Sequence, residues 1–459
     1  MTTVLSNGWR GAPATGVFGL GAHRWGVGAV EQRVVALAPH PPEPWDWRHA
    51  AVGWGLVLPD TDAVSSSDKA AGKDAPEPLR RLVAEREAPV LRWDPGRQDR
   101  LLRYYQGYAE PEPIPIGGTP RGVVEGAIPS FLMLWGELEK LPWRLQYSLN
   151  LDPRLYVGRL PLIGEALDRY VTALLTDWSP DRLVPARAKT VVWATDHAPG
   201  DMSHLMRRVI ADEVNQKYSA DADIDVTYVN GDAANGGALT SALTDGTGMV
   251  VTTSHGSTGP VGAPDRERLG WLVDADECEV DPSGVLGSWQ PDGAIWYAHA
   301  CCGAGTSART SFEGVFEQGS DLDTMVTDLA GLGDVVASFP TALLGASKPL
   351  RAFIGHVEPT FDWTIRHGPS RHATTSDLIA ALYDELMLGK PVGWAFEKFH
   401  GRAGADAASH HDLRLDVLGG RAEPDDALRA RLSFLDRRSL VILGDPGVAL
   451  PSTDVGEHG

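Results

Sequence analysis

Short apolar runs alternate with stretches of helical periodicity throughout the second half of the chain. An apolar, β-branched run at Thr190–Thr195 predicts a strand. A helix predicted to be capped by Ser203 and to run to about Lys217 follows it, with apolar side chains four residues apart. Runs at 224–229 and 351–357 predict further strands. Strands that alternate with helices favour right-handed crossovers and a mostly parallel sheet flanked by helices.

The first half of the chain shows the same alternation more weakly. The elements predicted there are a strand at Trp54–Pro59, a mobile loop at Asp60–Ala75, a helix at Pro78–Glu87, a strand at Pro89–Trp93 and a loop at Pro111–Pro115. They predict a smaller N-terminal α/β subdomain over residues 1–185, which begins irregularly, ahead of a second domain over residues 186–459. The predicted fold class is α/β.

Two of the predicted strands end in residues that can do chemistry together. The apolar run Ala294–Ala300 predicts a buried strand that stops at Cys301-Cys302-Gly303. Upstream of it, an apolar and β-branched run ends at His255-Gly256. The carboxyl ends of parallel strands meet at one edge of a sheet, where open α/β folds place their active sites. The sequence therefore predicts a cysteine–histidine pair at that edge.

A thiol attacks efficiently as a thiolate, and a neighbouring histidine supplies or stabilises that state. Cys301 is the first residue past its strand and is the predicted nucleophile, whereas Cys302 would point the other way. Cys278 lies in an acidic stretch that disfavours a thiolate, so it is interpreted as incidental. Gly256 has no side chain to block a substrate, so its N–H, together with that of Cys301, is a candidate donor for an oxyanion. His255 is the predicted general base and acid.

Composition narrows the class of protein. The chain has 459 residues, 43% of them hydrophobic and 22% charged, with a formal net charge of −20. This charge disfavours nucleic acid as a partner and suits basic substrates. No apolar run is long enough to predict a membrane span, and the N-terminus lacks the pattern of a secretory signal. Three cysteines make no disulfide framework, so a reducing cytoplasm is expected.

The paired motifs resemble those of caspase-like cysteine peptidases, and most closely the gingipain-like branch. Thr253-Ser-His-Gly-Ser257 is similar to the His-Gly motif of that branch, and His299-Ala-Cys-Cys-Gly303 to its Ala-Cys motif. The flanking stretches Tyr156–Pro161 and Leu443–Pro446 resemble it as well. The resemblance, which spans roughly residues 150–450, implies a three-layer sandwich with a mostly parallel sheet, and a cysteine endopeptidase that works through a thioester.

The resemblance also implies further roles. Asp196 matches an acid that supports the histidine, and Asp201 matches an acid that lines the primary specificity pocket and selects arginine or lysine. The expected partners are a protein or peptide substrate and a regulatory protein, without nucleic acid or membrane, and no cofactor is required. A bacterial defence or cell-death pathway is the expected setting, by analogy alone.

Other interpretations of these residues stay open. Asp196 can instead cap a turn, and Asp201 can serve as an acid at a helix N-terminus. Both cysteines of the pair can be small buried hydrophobes, or can bind a metal with His255 and His299. The acidic insertion 265–292 can be an activation loop, a processing site or a calcium site, although its carboxylates lack the spacing of a known calcium loop. An inactive scaffold or adaptor and a cysteine-dependent acyltransferase are the rival functions.

Overall fold

A twelve-stranded sheet organises the computed structural model, which describes residues 42–178, 189–366 and 373–451. The strands in these ranges are β1 (Trp54–Pro59), β2 (Val90–Trp93), β3 (Arg100–Arg103), β4 (Glu112–Pro115), β5 (Phe131–Leu134), β6 (Tyr156–Arg159), β7 (Lys189–Ala194), β8 (Asp225–Asn230), β9 (Thr247–Thr253), β10 (Ile295–His299), β11 (Gly305–Thr306), β12 (Val335–Val336), β13 (Ala352–His356) and β14 (Leu440–Gly444).

Twelve of the described strands form one sheet in the order β4-β3-β2-β1-β5-β6-β14-β13-β10-β9-β7-β8, and β11 pairs with β12. Along this order, neighbouring strands run parallel in two blocks, which are β2-β1-β5-β6-β14 and β13-β10-β9-β7-β8. The two parallel blocks meet at the antiparallel pair β13–β14, and β3 and β4 add an antiparallel edge. The predicted mostly parallel sheet is confirmed, and the reversal between its two blocks was not predicted.

Helices flank this sheet. The helices in the described ranges are α1 (Ser66–Ala70), α2 (Glu77–Glu85), α3 (Trp143–Asn150), α4 (Gly164–Leu175), α5 (Met202–Met206, a π-helical turn at Arg207–Ala211, and Asp212–Ala220), α6 (Gly236–Ala242), α7 (Pro282–Ser288), α8 (Asp321–Gly331), α9 (Ser338–Leu344), α10 (Ser376–Ile379, continued by a π-helical turn at Ala380–Glu385), α11 (Val392–Ala395), α12 (Glu397–Leu418) and α13 (Pro424–Ser439). Among the described helices, none is long and apolar enough to cross a membrane.

Side chains that alternate along the strands fill cores on both faces of the sheet. In β1, Leu56 belongs to the larger core cluster, with Leu79 of α2 and Leu167 of α4. Its neighbour Val57 points to the other face and belongs to a second cluster, which includes Leu145 of α3. Burying apolar side chains on both sides stabilises a layered α/β arrangement, which agrees with the predicted fold class.

Three neighbouring strands end at the same level and so position the candidate site. Thr253, the last residue of β9, pairs in register with Ala194 of β7 on one side and with His299 of β10 on the other. The segments that follow these three strands therefore start together at one edge of the sheet. They carry the residues predicted to be catalytic.

Two of the predicted loops are wrong. The expected mobile loop at 60–75 contains helix α1, whose Lys69 forms a buried ion pair with Asp60 at 2.7 Å. The expected loop at 111–115 is largely the edge strand β4, which pairs with β3. Local sequence did not reveal these contacts with distant parts of the chain. The prolines of β4 are tolerated because this strand lies at the edge of the sheet.

The division of the chain into two domains stays a prediction. The boundary proposed near residue 185 falls in 179–188, outside the described residues. The described residues from Pro44 onward form one compact unit. Strand β14, from the C-terminal end of that unit, pairs with β6 of the first half, so the sheet is continuous across the proposed boundary.

Candidate active site

His255 is held by a carboxylate on the segment that follows β7. Its Nε2 lies 2.9 Å from Oδ1 of Asp201. Asp201 is itself fixed as the N-cap of α5, because its Oδ1 accepts hydrogen bonds from the N–H and the hydroxyl of Ser203 at 2.7 and 2.5 Å. The N-cap of this helix is thus Asp201, and the prediction that Ser203 caps it is wrong. Both side chains of the pair are about one-third exposed and can meet a substrate.

The electrostatics of this pair favour an ionised Asp201. Burial alone would raise the pKa of its carboxyl group. The hydrogen bonds from Ser203 and the nearby imidazole of His255 outweigh burial, and the pKa of Asp201 lies below its ordinary value. At neutral pH Asp201 is therefore a carboxylate that accepts Nε2–H of the imidazole, which leaves Nδ1 of His255 as the nitrogen with a free lone pair.

Gly256 brings the histidine segment against the cysteine segment. A Cβ atom built at this glycine would lie 1.9 Å from the carbonyl oxygen of Cys301 and 3.0 Å from its nitrogen. No side chain fits in that space, so only glycine permits the two backbones to approach this closely. The structure thus places Gly256, the residue after His255, against the backbone of Cys301 at the edge of the sheet.

The thiol of Cys301 is half-buried beside the segment after β13. Its Sγ lies 3.5 Å from the carbonyl oxygen of Thr360. Burial raises the pKa of Cys301 to about 11. In this resting arrangement the group is a thiol at neutral pH, and it needs a base to become a nucleophile.

Cys302 has a different environment. Its backbone adopts φ 55°, in the left-handed region, and its N–H donates to the carbonyl of Glu358. Its side chain is fully buried in a small apolar cluster with Leu269, Leu329 and Val335. Burial raises the pKa of Cys302 well above its ordinary value. Cys302 therefore packs as a small hydrophobe, whereas Cys301 is the partly exposed thiol of the pair.

Two backbone donors at this edge have no oxygen acceptor elsewhere in the described chain. Gly256 forms a bridge with Leu272 in which the flanking residues, and not Gly256 itself, make the hydrogen bonds. The N–H of Cys301 likewise donates to no oxygen of the described residues, while the N–H of Cys302 is satisfied. Unpaired donors next to a thiol are the arrangement that an oxyanion requires.

Asp196 lies apart from the histidine. Its carboxylate pairs with Nδ1 of His204 at 2.9 Å and with Nε of Arg207 at 2.8 Å, both on α5. These contacts fasten the start of the helix to the end of β7. The acid that the structure brings to His255 is Asp201, so the supporting contact expected of Asp196 is made by the other candidate.

His197 was not singled out in the sequence, although it follows β7 at the same edge. Its ring stacks on that of His255, with centroids 5.4 Å apart and planes 26° apart. Its ring Nε2 lies 2.9 Å from the carbonyl oxygen of Asp274, and its backbone N–H donates to the hydroxyl of Ser203. The signal that could have revealed it is its position two residues past Thr195, the first residue after β7.

A buried polar cluster lies in the strands behind the thiol. The ring centroids of His299 and His356 lie 4.9 Å apart. Burial lowers the pKa of each imidazole to about 3, so both are neutral. Oδ2 of Asp436 accepts a hydrogen bond from Thr364 at 2.6 Å, and burial raises the pKa of Asp436. Sequence gave no sign of this cluster, because α13 supplies Asp436 from far along the chain.

The acidic insertion 265–292 uses its carboxylates within the fold. Asp274 accepts three backbone N–H groups, Glu279 pairs with Arg268 at 2.5 Å, and Asp281 caps α7. Its backbone also forms hydrogen bonds with the backbone of His255 and Ser257, so the insertion supports the histidine segment. The three interpretations of the insertion, as an activation loop, a processing site or a calcium site, stay open.

The alternative metal site that combined both cysteines with His255 and His299 is not assembled. His299 is buried, and its Nδ1 lies 2.8 Å from the hydroxyl of Tyr297. Within the described ranges, the one group of three or more histidine, cysteine or acidic side chains close enough to share an ion is formed by His197, Asp201 and His255.

Comparison of the sequence with models of known families finds no match, and comparison with curated proteins finds none either. Solved structures with a similar chain include the complex of the pro- and mature domains of RgpB from Porphyromonas gingivalis, at 11% identity and a TM-score of 0.39; the match covers 70% of this chain and 65% of that chain. Gingipain R (RgpB), an Arg-specific cysteine proteinase, is 11% identical, with a TM-score of 0.39, and the match covers 87% of this chain and 78% of that chain. A structure described as a protease is 13% identical, with a TM-score of 0.47 and coverage of 88% and 79%.

Proposed function

We propose that the protein is a cysteine endopeptidase, with Cys301 as the nucleophile and His255 as the general base and acid. The observation that carries this proposal is the contact between Gly256 and the backbone of Cys301. It joins the histidine and cysteine segments at the edge of the sheet and leaves two N–H donors beside a half-buried thiol.

Each group has a role in the reaction. Nε2–H of His255 donates to Asp201, so Nδ1 takes the proton from Sγ of Cys301. The thiolate attacks the carbonyl carbon of the scissile bond, and the N–H groups of Gly256 and Cys301 stabilise the oxyanion. The protonated imidazole then gives its proton to the leaving amine, which departs and leaves a thioester on Cys301.

The second half of the reaction uses the same groups. His255 removes a proton from a water molecule, which attacks the thioester carbonyl. The second tetrahedral intermediate collapses with the thiolate of Cys301 as the leaving group, and the peptide acid is released. Asp201 is a positioning residue in both halves, because it fixes the tautomer and the orientation of the imidazole.

Cleavage after arginine or lysine is the specificity that we propose. All three hydrogen bonds that the Asp201 carboxylate accepts engage its Oδ1. Oδ2 accepts none from the described residues and belongs to a side chain that is about one-third exposed. A carboxylate oxygen beside the catalytic histidine suits a basic substrate side chain, as does the net charge of −20.

Hydrolysis of fluorogenic peptides tests the activity and the specificity together. We expect the wild type to cleave peptides with Arg or Lys before the leaving group, and both Cys301→Ala and His255→Ala to be inactive. Activity confined to Asp or Leu peptides would reject the basic specificity and keep the mechanism. Activity that persists in Cys301→Ala would reject the nucleophile, and transfer of the acyl group to an amine in place of water would reject hydrolysis as the reaction.

A further inference from the structure

Two imidazoles and a carboxylate converge at the mouth of the candidate active site. Ligand atoms of His197, Asp201 and His255 all lie within 4.8 Å of one another, and Nε2 of His255 is 2.9 Å from Asp201. The three side chains are half-buried, so they are accessible to an ion and partly shielded from water. Two histidines and an aspartate form a ligand set that suits a borderline-soft divalent cation.

The surrounding hydrogen bonds prepare these groups to bind a cation. Nε2 of His197 donates to the backbone carbonyl of Asp274, which leaves Nδ1 unprotonated and able to coordinate. Asp201 is held by Ser203, and its Oδ2 takes no hydrogen bond from the described residues. Carbonyl partners of this kind fix the tautomer and the orientation of metal-bound histidines in proteins.

We propose that His197, Asp201 and His255 form a Zn²⁺ site. Zinc bonds of about 2.0–2.2 Å in a tetrahedron place neighbouring ligand atoms about 3.4 Å apart. Side-chain rotations that move the ligand atoms by about 1 Å bring them to these separations, because no two of the atoms are further apart than 4.8 Å. The fourth position is left for water. His197 supplies the ligand that the peptidase reaction does not use.

Zinc at this site would inhibit the peptidase, a consequence that rests on the proposed function. An ion at Nε2 of His255, the nitrogen beside Asp201, replaces the proton there, and the neutral imidazole then carries its proton on Nδ1. The lone pair that activates Cys301 is thereby lost. The inhibition would be reversed by a chelator. The site therefore makes the enzyme responsive to free zinc, and the binding itself requires neither the thiol nor any peptidase activity.

Zinc binding is tested directly on the full chain carrying Cys301→Ala, which has no nucleophile and cannot lose zinc affinity through oxidation of that thiol. Competition with a chromophoric chelator measures the stoichiometry and affinity for Zn²⁺. We expect Cys301→Ala to retain the site. Adding His197→Ala should remove one equivalent of zinc or weaken its binding at least tenfold. Asp201→Asn, which preserves the shape of the side chain, should act in the same direction.

His204→Ala in the same background is the matched control, because His204 is half-buried nearby on α5 but pairs with Asp196. It should bind zinc as the parent does. Equal zinc binding with and without His197, or an equal loss in His204→Ala, would overturn the proposal, as would a site that disappears with Cys301. None of these results depends on peptide hydrolysis, so failure of the zinc site and failure of the proposed peptidase are separate outcomes.

Discussion

Replacing Gly256 by alanine should separate the histidine segment from the cysteine segment. The added Cβ would lie 1.9 Å from the carbonyl oxygen of Cys301 and 2.9 Å from its carbonyl carbon. Backbone atoms cannot rotate away as a side chain can, so one segment must move by about 1 Å. A displacement of this size at reacting groups costs about 10²-fold in rate. The overpacking should also lower the free energy of unfolding by about 1–3 kcal/mol.

The assay has two parts: kcat/KM on the best peptide of the panel, and urea unfolding followed by intrinsic fluorescence. Gly284→Ala is the matched control, because this glycine lies in α7 with no atom within 4 Å of the added Cβ. It should keep wild-type kcat/KM and become up to about 1 kcal/mol more stable, since alanine is favoured over glycine inside a helix. A Gly256→Ala enzyme with wild-type kcat/KM would refute the reasoning, because the two segments would then not need their close contact.

Two further predictions concern the acids and the buried histidines. Asp201→Asn should lower kcat/KM by about 10²-fold through loss of the oriented imidazole, whereas Asp196→Asn should keep it close to the wild-type value; equal effects in a peptidase assay would contradict the assignment. His299 and His356 are neutral in the fold, with pKa values of about 3, but in the unfolded chain they bind protons below about pH 6.5. The free energy of unfolding should therefore decrease as the pH is lowered through that window. Two such groups correspond to about 3 kcal/mol between pH 7.5 and 5.5, and urea unfolding that shows no loss over this range would contradict their burial as neutral rings.

The central part of the site could be predicted because the chemistry sits at strand ends. Apolar runs that stop at His255-Gly256 and at Cys301 define both the strands and the edge where they meet. Parallel pairing of β9 with β10 then brings the two segments together without further information. The preference for Cys301 over Cys302 also followed from the alternation of side chains along a strand, and Cys302 is indeed the buried one.

The supporting residues could not be predicted, because they depend on how loops fold. Asp196 and Asp201 are both acids on one short segment, and only the turn before α5 decides which of them reaches His255. The hydrogen bond from Ser203 to Asp201 is a local capping signal that could have favoured Asp201. Asp436 comes from the end of α13, and no local pattern connects it with β10 or β13.

The topology shows a similar limit. A central strand has the same apolar pattern whether its neighbour runs parallel or antiparallel, so the reversal at β13–β14 left no trace in the sequence. The sequence predicted a helix at Val392–Ala403, which covers α11 and only the start of α12, and it predicted no helix at α13. Helices α12 and α13 pair mainly with each other, and their exposed faces are rich in alanine and charge, so the apolar stripe that marks a helix is weak.

The most direct measurement is covalent labelling with a peptide that carries a thiol-reactive electrophile, with the modified residue identified by mass spectrometry. The wild type and Cys302→Ala should each take up one label, on Cys301, and Cys301→Ala should take up none at that rate. His255→Ala should be labelled far more slowly, because the thiol loses its base. Labelling of Cys302 or Cys278 at the rate of Cys301, or a rate that does not depend on His255, would contradict the proposed catalytic pair.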